Sequence, residues 1–284
     1  MKDDSPSRTA YEVALSRAAH QLFDLPRVFE DPVAVSIIGP KAVGALRAAE
    51  RRFRHPYARY LRAFLVARSR LAEDALNEAV ARGVRQYVVL GAGLDTFAYR
   101  NPHAATGLRV FEVDHPATQE WKRQLISQAH LHAPGSLVYV PVDFEREQLA
   151  ERLRANGFRI EEPAFFSWLG VTMYLSPAAI EETLRFVAQS AVSRSGIIFD
   201  YLTAPPRWAL LRRWGMKVLM RRVAAAGEPW QTFFGSAALH AELMRLGFAT
   251  VRDFGREEIN ARFFDHAGAR LRVGDFGRVV LARI

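Results

Sequence analysis

The stretch Arg85–Arg100, RQYVVLGAGLDTFAYR, constrains the fold more than any other part of the chain. Tyr87, Val88, Val89 and Leu90 form a short apolar, mostly β-favouring run. Gly91-Ala92-Gly93 follows directly, and then a segment that can turn helical. A strand, a glycine turn and a helix start make a corner suited to anions and nucleotides. Gly91 allows a tight turn, and Gly93 lets a ligand approach the main chain without meeting a Cβ. A dinucleotide fingerprint asks for a third glycine at position 96, where the chain has Thr96. The corner therefore suits a nucleoside without phosphates better than a pyrophosphate. Taken alone, such a turn is also compatible with an ordinary strand-to-loop connection.

Two later stretches narrow the choice. Leu108–Val113 is a second apolar strand pattern, ending on Asp114 about 20 residues after Gly91. An acidic residue at the second strand tip of a βαβ unit is placed to accept both ribose hydroxyls. Glu112 competes for this role, because strand side chains alternate and Glu112 shares a pleat face with Asp114. A third run, Leu137–Val142, ends on Asp143-Phe144. That pair suits adenine, the carboxylate taking the exocyclic amine and the ring packing on the base.

LGAGLDT (90–96), FEVDHP (111–116), PVDF (141–144) and WLGVTMYLS (168–176) resemble the signatures of S-adenosylmethionine-dependent methyltransferases of the leucine carboxyl methyltransferase type. The branch with bacterial polyketide-biosynthesis O-methyltransferases is the most similar. The likeness covers most of the chain and is weakest over 202–235. It implies a class I methyltransferase fold, a Rossmann-like doubly wound α/β sheet ending in an antiparallel strand pair. The implied cofactor is S-adenosyl-L-methionine, held by Arg68, Gly91, Ala92, Gly93, Asp95, Glu112, Asp114, Asp143, Phe144 and Leu169. In the family an arginine before the first strand clamps the methionine carboxylate, a task suited to a bidentate guanidinium. Arg68 is assigned to it because its spacing follows the apolar stripe of its helix, with Arg17 as a second candidate. One departure stands out. Enzymes that act on protein phosphatase carry a glutamate where this chain has Leu169, which argues against that substrate. Phe97 also replaces an arginine common after the DT of the first motif.

In chain order, 8–82 reads as helical, with Asp31-Pro32 a capped helix start and Gly83 a stop. Strand patterns at 86–90, 108–113, 137–142, 164–169 and 196–201 alternate with helical stretches near 116–130, 145–156 and 177–193. Two further strands are expected at 248–254 and 277–283, joined by polar, glycine-containing turns. The expected organisation is one domain: a helical N-terminal layer (1–83), a cofactor-binding core (84–201), an insertion (202–235), and a C-terminal helix with antiparallel strands (236–284). Residues 207–222 read as a basic amphipathic helix. The insertion is expected to act as a lid, with Tyr174, Trp208, Trp214, Trp230 and Phe233 lining a pocket for a bulky apolar acceptor.

Composition excludes several classes. Without cysteine there is no disulfide framework, zinc–cysteine site or thiol nucleophile. The polar, acidic N-terminus does not match a signal peptide, and no apolar run approaches transmembrane length. A soluble cytoplasmic protein is the default. The net charge of +9 favours acidic partners. Of the 39 basic residues only Lys2, Lys41, Lys122 and Lys217 are lysine, a skew that points to genome composition rather than to nucleic acid. No metal-ligand spacing or Ser/His/Asp arrangement stands out, and the eight histidines are scattered, so no catalytic base or metal site is assigned. The expected reaction is O-methylation of a small molecule, free or carried on an acidic carrier domain, with a carboxylate preferred to a hydroxyl. A protein C-terminal carboxyl methyltransferase, a non-catalytic binding protein and a nicotinamide-dependent oxidoreductase are the alternatives.

Overall fold

Strand β1 (Gln86–Leu90) is buried along its whole length, as a central strand covered on both faces must be. Tyr87 and Val89 enter one core and Val88 and Leu90 the other, following the two-residue period of a strand. Fully burying one such side chain stabilises the fold by about 1.5–3 kcal/mol. The computed structural model describes residues 7–144, 147–189, 194–204, 229–266 and 270–284.

The sheet has seven strands in the order β3-β2-β1-β4-β5-β7-β6. These are β2 (Arg109–Asp114), β3 (Leu137–Pro141), β4 (Ala164–Trp168), β5 (Gly196–Leu202), β6 (Thr250–Phe254) and β7 (Gly277–Arg283). Strands β1 to β5 pair in parallel, and β7 runs antiparallel to both β5 and β6. Successive strands step from β1 to β3 in one direction and from β4 to β5 in the other, with β7 inserted between β5 and the edge strand β6. The order reverses between β1 and β4, where an open α/β sheet leaves a crevice beyond its carboxyl ends.

The N-terminal layer consists of α1 (Arg8–Phe23), α2 (Pro32–Ile37), α3 (Gly39–Ala48), α4 (Glu50–Phe53) and α5 (Pro56–Ala81). Asp31 caps α2, accepting the Ala34 amide at 3.2 Å. Ala63, Ala67, Leu71, Ala75 and Ala79 bury a narrow stripe of α5 against the sheet, the small residues allowing close approach. The stripe does not extend to the start of the helix. Leu61 is exposed, and Arg62 turns inward to bond Asp24 at 2.6 and 2.9 Å and the Phe53 carbonyl at 2.9 Å. A satisfied guanidinium is stable where a bare one would not be.

Helices α6 (Pro116–Gln128), α7 (Leu149–Ala155) and α8 (Pro177–Gln189) occupy the expected positions between strands, and α9 (Ser236–Leu246) precedes β6. The expected turn between β6 and β7 instead contains α10 (Arg256–Phe263). Asn260 secures it, its side chain exchanging hydrogen bonds with both backbone groups of Val273. Among the described residues no helix is long and apolar enough to cross a membrane. Trp208, Trp214 and the basic stretch 207–222 lie outside the described residues.

Candidate active site

The glycine turn is shaped by what packs on it. Gly91 has φ +63°, and a Cβ there would fall inside the van der Waals radius of Val171, in the loop after β4. The two loops that border the switch point therefore touch because residue 91 is glycine. Gly93 faces Ala10 of α1, which would lie 3.0 Å from a Cβ. The Gly93 amide donates to Asp114 Oδ2 at 2.5 Å, and the His115 amide donates to Oδ1 at 2.6 Å. These bonds fix the carboxylate at the tip of β2, half-buried beside the turn. Burial raises the Asp114 pKa, against the pull of the two amides and of the Lys122 charge.

Glu112 does not share that edge. It is fully buried, and its Oε2 lies 2.5 Å from Lys122 Nζ of α6. Alternation put it on the same face as Asp114, but it lies one pleat deeper, under the helix and away from the crevice. Burial pushes it up to about 7 despite Lys122.

Behind the turn is a cluster of charges that no local sequence pattern announces. Thr96, at the missing glycine position, is fully buried. Its hydroxyl donates to Asp31 at 2.6 Å and accepts from Arg17 at 2.8 Å. Arg17 Nη2 pairs with Asp31 at 2.5 Å and Nη1 with Asp95 at 3.3 Å. Arg100 approaches Asp31 at 3.2 Å and forks onto Glu73. Arg17 thus ties α1 to the turn through Thr96, Asp31 and Asp95. Burial alone would raise the Asp95 pKa, but Arg17, Lys122, Arg100 and the Phe97 amide bring it below the usual carboxylate range. Glu73 goes up, because burial outweighs Arg100.

Across the switch point, Arg68 is buried, with Nη1 2.6 Å from Asp200 Oδ2. Asp200 Oδ1 accepts the Gly170 amide at 2.5 Å, and its backbone carbonyl accepts the Thr172 hydroxyl at 2.7 Å. A Cβ on Gly170 would stand 2.8 Å from Arg68 Nη2, so the guanidinium lies against bare backbone. In the sequence, Asp200 stands out as a charge inside the otherwise apolar strand GIIFDYL, the mark of a buried partner.

The remaining expected site residues divide between the two sides. Asp143 and Phe144 follow β3, both half-buried, and the Asp143 amide donates to Glu147 at 2.9 Å. Ala92 is buried, its amide bonded to the Val113 carbonyl at 3.0 Å. Leu169 and Tyr174 are half-buried beside β4. The Tyr174 carbonyl accepts the Gln231 side chain at 2.8 Å, and the Gln231 amide donates to the Met173 carbonyl at 2.7 Å. These bonds bring Trp230 and Phe233, whose rings meet edge-on at 6.5 Å, to the same side as Tyr174. Farther along the sheet, Asp253 of β6 gathers Tyr201, His240 and Arg278.

Comparison with known proteins bears on this arrangement. A family model described as leucine carboxyl methyltransferase matches residues 10–188. The Bacillus subtilis protein YktD, named as an S-adenosyl-L-methionine-dependent methyltransferase, is 30% identical over 286 residues, covering 94% of each chain. A Frankia alni protein of the same description is 35% identical over 198 residues, 66% of this chain and 67% of its own. A solved structure titled as a methyltransferase from Thermobifida fusca superposes with a TM-score of 0.55 at 16% identity, over 98% of this chain and 95% of that one. A family protein from Streptomyces avermitilis superposes at 0.51, also at 16% identity, over 86% and 91%. These two likenesses concern the fold.

Proposed function

The chain belongs to the leucine carboxyl methyltransferase family of S-adenosylmethionine-dependent methyltransferases, and from that premise we propose that it methylates an oxygen of a small molecule, a carboxylate ahead of a hydroxyl. The observation that carries the donor side of this reading is the row formed by Gly91–Gly93, Asp114 and Asp143-Phe144 at the adjoining tips of β1, β2 and β3, with Arg68 across the switch point. The donor set suits an adenosyl amino acid. Each Asp114 oxygen already accepts one amide, and an ionised carboxylate retains acceptor sites for both ribose hydroxyls. Asp143 and Phe144 suit the adenine, and Arg68 a carboxylate at the far end. The nicotinamide alternative is set aside with the family.

The cofactor supplies an electrophilic methyl group on a sulfonium. The chain's part is to hold the acceptor oxygen in line with it and to exclude water. A carboxylate acceptor is already ionised near neutral pH and needs no base, whereas a phenol or alcohol is helped by one. Tyr174, Trp230 and Phe233 offer apolar surface on the β4–β5 side, which favours a bulky, largely apolar acceptor. A polyketide-like metabolite, free or attached to a carrier domain, has that chemistry.

Two experiments test the proposal. Calorimetry should detect S-adenosylhomocysteine binding, and binding of NAD(H) alone would overturn the donor reading. A screen with radiolabelled methyl donor over small carboxylic acids and phenols should yield alkali-labile ester. An alkali-stable product would show an ether and overturn the carboxylate preference.

A further inference from the structure

Asp200 is the single charged residue of β5, and it is fully buried. Three groups meet on it. Its Oδ2 lies 2.6 Å from Nη1 of Arg68 on α5, and its Oδ1 accepts the Gly170 amide of the loop after β4 at 2.5 Å. Its backbone carbonyl accepts the Thr172 hydroxyl at 2.7 Å. Asp200 thus joins α5 to the loop 169–172. That loop in turn touches the glycine turn, where a Cβ on Gly91 would meet Val171. The arginine on one side of the crevice and the turn on the other are held in register through this one carboxylate. Arg68 is 5% exposed and spends only Nη1 on the pairing; among the described residues its Nε and Nη2 have no hydrogen-bond acceptor. Nη2 lies against the bare backbone of Gly170, whose φ is +77°. A guanidinium carries five donors in a planar fork, and buried donors left unpaired are costly. Asp200 takes the fork at Nη1, which leaves the Nε–Nη2 edge for a second carboxylate, side-on.

We propose that Asp200 is a positioning residue of the cofactor site: it seats the Arg68 guanidinium against Gly170 so that the Nε–Nη2 edge receives the carboxylate at the amino-acid end of the methyl donor. This rests on the methyltransferase reading above, with Arg68 as the partner of that carboxylate. Asparagine at position 200 separates the two jobs of the side chain. Its amide oxygen still accepts the Gly170 amide, and the backbone carbonyl still takes the Thr172 hydroxyl. Its NH2 group, however, would face the Nη1 donors of Arg68, so the seat of the guanidinium is lost while the loop is kept. The loss therefore falls on the amino-acid end of the donor and spares the nucleoside, which belongs to the other side of the crevice.

Two ligands read the two ends. S-adenosylhomocysteine carries the nucleoside and the amino acid, and 5′-methylthioadenosine carries the nucleoside alone. Calorimetry measures both with the wild type, Asp200→Asn, Arg68→Met and Arg68→Met/Asp200→Asn. Asp200→Asn should weaken S-adenosylhomocysteine binding about tenfold or more, the weight of a hydrogen bond to a charged group, and leave 5′-methylthioadenosine binding unchanged. The double variant should bind S-adenosylhomocysteine as Arg68→Met does, because a residue that acts through another adds nothing once that one is gone. A buried guanidinium without its counter-ion is costly, so Gly170→Ala gives the same comparison if Asp200→Asn does not fold. Its methyl group would stand 2.8 Å from Nη2 and displace the guanidinium with both charges kept. Equal loss of the two ligands in Asp200→Asn would overturn the proposal, making Asp200 a support of the whole crevice. Unchanged S-adenosylhomocysteine affinity would also overturn it, as would tighter binding, which would show Asp200 competing with the ligand for the arginine. A wild type that binds 5′-methylthioadenosine as tightly as S-adenosylhomocysteine would instead remove Arg68 from the carboxylate, and one that binds neither would sink the cofactor reading itself.

Discussion

The two sides of the crevice are built from different materials. On the β1–β2–β3 side, charges fill the space behind the glycine turn: Arg17, Asp31, Glu73, Asp95 and Arg100 in one cluster, Glu112 and Lys122 in another. On the β4–β5 side one buried pair, Arg68–Asp200, stands among Leu169, Tyr174, Trp230 and Phe233. Buried charges are stable only when every partner is present, so the first side admits one geometry. Apolar surfaces tolerate exchange of similar volumes, so the second can be reshaped at little cost to the fold. On the proposed function, the side offered to the methyl donor's adenosine is the charged one, and the side offered to the acceptor is the apolar one.

The sharpest way to break this contrast is at Asp31. It accepts from Thr96 and pairs with both Arg17 and Arg100. Asp31→Ala should cost about 3–5 kcal/mol of stability, as expected for breaking a buried ion pair and leaving charge uncompensated. Urea denaturation measures it. A loss below about 1 kcal/mol, the scale of surface pairs, would mean that water screens the cluster and that the two sides do not differ in kind.

At Asp114 the expected loss concerns the ligand. Asp114→Ala should weaken S-adenosylhomocysteine binding more than tenfold, about 1.4 kcal/mol, while the sheet stays folded by circular dichroism. Unchanged affinity would remove Asp114 from the ribose site and with it the distinction drawn from Glu112.

The rigid side should also show two opposite pH dependences. Asp95 has a folded pKa below its ordinary value of 3.8. It contributes stability that is present above the unfolded value and lost as the pH falls through the folded one. Glu112 is raised from 4.5 to about 7. In that interval the native state binds more protons than the unfolded state, so stability falls as pH rises from about 4.5 to 7. Thermal unfolding of Glu112→Gln should flatten the second trend, and Asp95→Asn the first. A stability profile unaltered by Glu112→Gln would show that Lys122 holds the carboxylate ionised throughout.

The sequence exposes this molecule unevenly, and the reasons are physical. The glycine turn and Asp114 are readable because strand, turn and alternation act over a few residues. Apolar spacing locates α5 but does not place Arg62, which is buried through partners at Asp24 and Phe53 that spacing alone does not reveal. The same blindness hides Lys122, whose helix turns polar residues inward. The Thr96 cluster joins residues from 17 to 100 and exists only once α1, α2 and α5 have packed. In the sequence Thr96 marks only the absence of a glycine. In the fold it is the point where the N-terminal layer is tied to the turn. Weak periodicity also concealed α10, which Asn260 secures through a contact 13 residues away in sequence.

The smallest expected effects lie on the adaptable side. Trp230 is half-buried, its indole N–H buried without a partner among the described residues, and its ring meets Phe233. An indole held without a hydrogen-bond partner contributes shape and apolar area, so a phenyl ring can replace it at little cost. Trp230→Phe should therefore leave unfolding within about 0.5 kcal/mol of the wild type, the range of substitutions that break no specific interaction. S-adenosylhomocysteine affinity should not move. What should move is discrimination between acceptors: kcat/KM for two carboxylic acids differing in bulk should change in ratio by about tenfold, the weight of one or two methylenes in an apolar pocket. If cofactor affinity falls along with turnover, Trp230 serves the rigid side. If neither moves, the pocket is closed by other residues, and the division of the crevice into a fixed half and an adaptable half must be redrawn around Tyr174 and Phe233.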